Sequence, residues 1–162
     1  MIATVREVTP DVDAGTVLAG AQFIDAFRAE VGATSVSARE ACTRMVLHGP
    51  RWIEALTRLR NVLVKPFGLK TSGDGAPAPH GMVGLFPVLS ETPERLIAGF
   101  DDYHLDFRVV IDIAGDAADR RVTLTTLVRT NNLLGRAYLS LIVPFHKLVA
   151  RSMMGCIVEP AR

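Results

Sequence analysis

The final apolar run, residues 131–154 (NNLLGRAYLSLIVPFHKLVARSMM), limits the folds open to this chain more than any other stretch. Leu134, Tyr138, Leu141, Ile142, Phe145, Leu148 and Val149 recur at three-to-four-residue spacing, which predicts a helix with a broad apolar face. Asn131 or Asn132 can cap its start, and Arg136, Lys147 and Arg151 interrupt the run. Such a helix is ~35 Å long at ~1.5 Å per residue, and it needs a large apolar surface to lie against. Its longest stretch free of charged residues and histidine is residues 137–145, far short of the ~20 residues that span a bilayer. A helix on a core is therefore expected, not a transmembrane segment. Pro144 removes one backbone hydrogen bond inside it and predicts a kink.

The surface comes from four strand-like segments upstream, residues 83–89, 95–100, 103–113 and 121–130. A tight turn at Asp101-Asp102 would set Phe100 against Tyr103, Ala98 against Leu105 and Leu96 against Phe107. A turn near Ala117-Ala118 would pair Ile113 with Val122, Ile111 with Leu124, Val109 with Thr126 and Phe107 with Val128. Both hairpins then bury the same face, and the opposite face sets Asp106 against Arg129 and His104 against Asn131.

Earlier, residues 21–31 alternate as a first strand, with Phe23, Phe27 and Val31 on one face and Asp25 sharing that apolar parity. Ser35 or Ser37 can cap a short helix ending near Leu47, and Pro50 opens a second with a Trp52, Leu56, Leu59, Leu63 stripe that Pro66 ends. Glycine and proline crowd the stretch that follows, so residues 70–81 read as a lid-like loop. Residues 1–19 lack a clear period and read as a loose arm with a short edge pairing, leaving a single domain over residues 20–158. The order β-α-α-β-β-β-β-α is an α+β layout in which an antiparallel sheet curves around one long helix.

The 162 residues suffice for one domain, and 49% hydrophobic content with mean hydropathy +0.26 leaves an apolar surplus for a large core, a cavity or a homodimer interface. A net charge of +1 with interspersed signs excludes nucleic acid as an expected partner. The N-terminus has acidic residues early and no apolar signal core, so a cytoplasmic location is expected. Cys42 and Cys156 form no paired motif, and His48, His80, His104 and His146 have no metal-ligand spacing. No G-x-S-x-G or phosphate-binding loop is present, so neither metal nor cofactor is expected.

The candidate ligand-binding residues are Asp25, Phe100, Tyr103, Leu105, Phe107, Thr126, Val128, Tyr138, Leu141 and Phe145, an apolar lining with a few polar groups. The same residues would equally pack as a filled core. Asp25 as a buried carboxylate would need a partner, or would suit acid–base work. The His104, Asp106, Arg108, Arg129, Asn131 set falls on the outer face, where an Asp–Arg pair reads as a surface salt bridge.

Residues 50–71 (PRWIEALTRLRNVLVKPFGLKT), 99–109 (GFDDYHLDFRV) and 131–154 together resemble an uncharacterised bacterial family known only as a domain of unknown function. The element order also resembles the helix-grip fold of the START-like superfamily, which includes polyketide cyclases and lipid-transfer domains. That resemblance implies an apolar cavity between sheet and final helix. Some members of the uncharacterised family resemble tails of short-chain-dehydrogenase-like domains, which implies a metabolic setting, but no catalytic residue carries over. The expected function is non-covalent binding of a small apolar or amphipathic ligand. The alternatives are a cyclase- or hydratase-like enzyme using a cavity Asp or Tyr, and an interaction module or dimer associated with a short-chain-dehydrogenase-like partner.

Overall fold

The computed structural model describes residues 4–33, 35–67, 80–83 and 86–157. Along the chain run β1 (Val5–Val8), α1 (Ala14–Val17), β2 (Phe23–Gly32), α2 (Ala38–Leu47) and α3 (Arg51–Val64), which continues as a 3₁₀ turn, Lys65–Phe67. Then follow β3 (Met82–Val83), β4 (Phe86–Glu91), β5 (Arg95–Asp101), β6 (Leu105–Ala114), β7 (Arg120–Thr130) and α4 (Leu133–Gly155). The strands make one antiparallel sheet in the order β1-β2-β7-β6-β5-β4-β3, and α4 lies against it in a helix-grip arrangement of the α+β class. Most of the residues expected to form the 70–81 loop fall outside the described residues.

The β6–β7 register is the one that alternation predicts, with Ile113 on Val122, Ile111 on Leu124, Val109 on Thr126 and Phe107 on Val128. The β5–β6 register differs, because Phe100 pairs with Phe107, Ala98 with Val109 and Leu96 with Ile111. The connection is wider than a two-residue turn: Asp101 pairs with Asp106, and Asp102 N donates to Leu105 O at 3.0 Å. Each β5 residue thus meets a β6 residue four places later than expected. An even slip leaves the paired side chains of β5 and β6 on their predicted faces, while Tyr103 falls into the turn.

The inner face of the sheet carries the main core. Phe27, Leu96, Ala98, Ile111 and Val122 pack there with Ala38, Ala41, Cys42 and Met45 of α2 and with Ala150 and Met154 of α4. Ser37 caps α2, its side chain accepting from Glu40 N at 3.2 Å while Glu40 Oε2 accepts from Ser37 N at 3.2 Å, a reciprocal capping box. Of the predicted α3 stripe, Trp52 and Leu59 are exposed, and the side chains of Leu56 and Leu63 lie outside the described ones.

From residue 4 onward the N-terminal segment does more than pair at the sheet edge. β1 pairs with β2, and Leu18 is buried with Val110 and Leu127 on the outer face, flanked by Val12, Val17, Ile24 and Ile97. The outer parity of the strands holds its own apolar set, and the segment before β2 covers it. The polar cluster predicted as a surface salt bridge is accordingly buried at its centre, with Asp106 3% and His104 7% exposed. Arg129 bonds Asp106 and Ala19 O, and Asn131 Nδ2 donates to Asp106 Oδ1 at 3.2 Å and to Asp102 O at 3.0 Å. This network ties the N-terminal segment, the β5–β6 turn and the approach to α4 together, and Arg108 instead pairs with Asp101 at 2.7 Å.

By length and composition alone, α4 is long and apolar enough to cross a membrane. One of its faces rests on the sheet, while Leu133, Leu141, Phe145 and Leu148 on another are exposed among the described residues.

Burial of Cys42 pushes its thiol up to about 11 from 9.0. The folded state therefore disfavours the thiolate. The stability held by the protonated thiol is complete below pH 9 and is lost as pH rises through about 11, about 3 kcal/mol in all. Urea unfolding of the wild type and Cys42→Ala from pH 8 to pH 11 should show the wild type losing most of that, about 2 kcal/mol, relative to the variant, and parallel curves would refute it.

Candidate functional site

Between the inner face of the sheet and α4 lies a cavity of about 210 Å³, partly open to solvent. The strands contribute Phe23 from β2, Phe86 from β4, Phe100 from β5, Leu105 and Phe107 from β6, and Thr126 and Val128 from β7. The helix contributes Tyr138, Leu139, Ile142, Val143 and His146. These α4 positions are spaced one, three and four residues apart, which places them on one helical face.

Three phenylalanines from three strands form an aromatic wall. Phe86 and Phe100 lie parallel at 6.4 Å between centroids, and Phe107 is tilted against each of them at 5.6 and 5.7 Å. Across the cavity, the His146 ring stands edge-on to Phe23 at 5.7 Å.

The polar end is built by β2 and α4. Asp25 is 5% exposed and pairs in the ladder with Thr126, which lines the cavity. Its Oδ1 lies 3.1 Å from His146 Nε2, while its Oδ2 is buried with no hydrogen-bond partner among the described residues. Alternation carries Asp25 to this face between Phe23 and Phe27, and α4 brings the histidine from 121 residues further along the chain. A carboxylate–imidazole pair beside an apolar chamber can accept hydrogen bonds from a ligand and can shuttle a proton.

Of the residues expected from the sequence, Phe100, Leu105, Phe107, Thr126, Val128 and Tyr138 line the cavity, and Asp25 stands behind His146. Three do not take part. Tyr103 sits in the wider β5–β6 turn and is 80% exposed, while Leu141 at 62% and Phe145 at 51% face away from the sheet. The error on α4 is one of rotation. The helix is apolar nearly all round from Leu133 to Val149, so spacing alone could not choose its inner face. Its contacts choose: the Gly135 backbone abuts His104 O, Ala150 and Met154 enter the core, and Tyr138, Leu139, Ile142, Val143 and His146 follow between them. Pro144 falls on the exposed side.

His146 is the main residue that sequence reading missed. Its signal was a histidine in an apolar helix of a chain with a buried-parity Asp, but nothing local links the two. Among the described residues no group of three or more His, Cys, Asp or Glu side chains could hold a metal ion. No curated protein and no solved structure matches the chain. A family model does match, over residues 17–153, and it spans β2 through most of α4 and every element that lines the cavity. The chain belongs to the family described as Protein of unknown function (DUF2867).

Proposed function

We propose that this protein binds a small apolar or amphipathic molecule non-covalently in the cavity between the sheet and α4, in the manner of START-like helix-grip domains. The observation that carries the reading is the cavity itself. About 210 Å³ lies partly open behind an aromatic wall with a polar group at one end, the apolar lining with few polar groups of which small-molecule pockets are built. A second reading, an enzyme of the cyclase or hydratase kind, is favoured by the Asp25–His146 pair, which supplies an acid–base couple at the cavity edge.

Native mass spectrometry of the purified protein, followed by solvent extraction, tests the binding reading. A stoichiometric small-molecule adduct is expected. Phe107→Arg sets a charge into the aromatic wall and should abolish uptake while far-UV circular dichroism stays that of the wild type. A clean mass, with no uptake from a panel of phenols, short-chain acids and terpenoid alcohols, would refute the reading. The exposed apolar stripe of α4 would then be the feature left to explain.

A further inference from the structure

The cavity's size, walls and polar end together define a narrower ligand class, an inference that rests on the binding reading above. We infer that the site takes a single small ring bearing a hydroxyl, a phenol-class ligand, whose hydroxyl donates to His146, the cavity-lining member of the Asp25–His146 pair.

Size comes first. An apolar cavity of ~150 Å³ accommodates benzene. About 210 Å³ therefore holds one six-membered ring with a small substituent, and it is too small to enclose a sterol or a long acyl chain. The walls select for flatness. Phe86, Phe100 and Phe107 present ring faces and edges at 5.6 to 6.4 Å from one another, the spacing at which a further aromatic ring is held in offset or edge-to-face contact.

The polar end selects the head group. Asp25 is 5% exposed and stands behind His146, outside the cavity lining, so it acts on a ligand through the imidazole. With His146 in the tautomer that donates Nε2–H to Oδ1, which the carboxylate favours, Nδ1 is left as an acceptor. The imidazole that lines the cavity thus offers an acceptor, and the complementary ligand atom is a donor. A carboxylate head would instead meet the Asp25 carboxylate as a like charge and would offer no proton. The site is thus matched to a hydroxyl and set against an anionic head.

Isothermal titration with three probes of one shape tests this: p-cresol, toluene and 4-methylbenzoate. The expected order is p-cresol about tenfold tighter than toluene, with 4-methylbenzoate weakest. Asp25→Asn should bring p-cresol to the affinity of toluene while changing toluene less than about twofold. His146→Gln, at a side chain 19% exposed, should do the same and serves if the first variant does not fold. Equal binding of p-cresol and toluene by the wild type overturns the inference and leaves the cavity reading standing. Tighter binding of benzylamine than of p-cresol overturns it too, in favour of a cation. Failure of both p-cresol and toluene to bind overturns the cavity reading itself.

Discussion

Gly135→Ala is expected to destabilise the protein by about 2 kcal/mol, although the same change inside an ordinary helix stabilises by ~0.5–1 kcal/mol. The reason is steric and lies in the backbone. A Cβ at this position would stand 2.1 Å from His104 O and 3.0 Å from the carbon that bears it, and neither atom belongs to a side chain that can turn aside. The N-terminal turn of α4 would have to lift off the start of β6, against an overpacking cost of ~1–3 kcal/mol. It would also strain the cap, in which Asn132 Oδ1 accepts from Gly135 N at 2.9 Å while Asn132 Nδ2 lies 3.2 Å from His104 Nδ1. Tyr138 lines the cavity one turn later, so ligand affinity should fall as well. Gly155, at the other end of α4, has nothing within 4 Å of such a Cβ among the described residues. Gly155→Ala is therefore the control, expected to be neutral or mildly stabilising. Equal thermal midpoints for the two variants would refute the close approach of α4 to β6.

Phe27→Ala is expected to cost more, about 3–5 kcal/mol, a large share of the ~5–15 kcal/mol that holds a typical domain together. Phe27 is fully buried on β2, pairs with Leu124 of β7, and lies under the Arg151 guanidinium of α4 with 5.6 Å from Cζ to the ring centroid. Removing the ring deletes its buried area and leaves a void where sheet and helix meet, because neither backbone can close on it. Phe145→Ala on α4 should change stability by less than ~1 kcal/mol, since that ring is half exposed. Urea midpoints for the two variants give the comparison. A larger loss for Phe145 than for Phe27 would mean that α4 presents a different face to the sheet.

The faces of the strands are legible in the alternation of their side chains. Phe100, Leu105, Phe107, Thr126 and Val128 all reach the cavity as that alternation requires, and the β6–β7 register agrees residue for residue. The β5–β6 register does not follow from the sequence, because Asp101-Asp102 reads as a tight turn while the connection actually bonds Asp102 to Leu105. Only the even size of the slip preserves the faces. The role of the first residues is also hidden. Val17 and Leu18 show no period by themselves, and their place becomes plain only against the second apolar set of Ile97, Val110 and Leu127 on the outer face.

Local patterning accounts for the α+β layout, the membership of the two sheet faces, the existence of α4 and the parity that buries Asp25. Each is a property with a period of two or of three to four residues, and neighbouring side chains enforce it whatever the rest of the chain does. Contacts across the fold set the rotation of α4, and with it the exclusion of Leu141 and Phe145, the arrival of His146 beside Asp25, and the burial of Asp106 under the N-terminal segment. A helix whose apolar residues span most of its circumference does not fix which of them meet the sheet until something touches it. Here Gly135 against His104 O and the packing of Ala150 and Met154 set its angle, through contacts between residues far apart in the chain that no local pattern encodes.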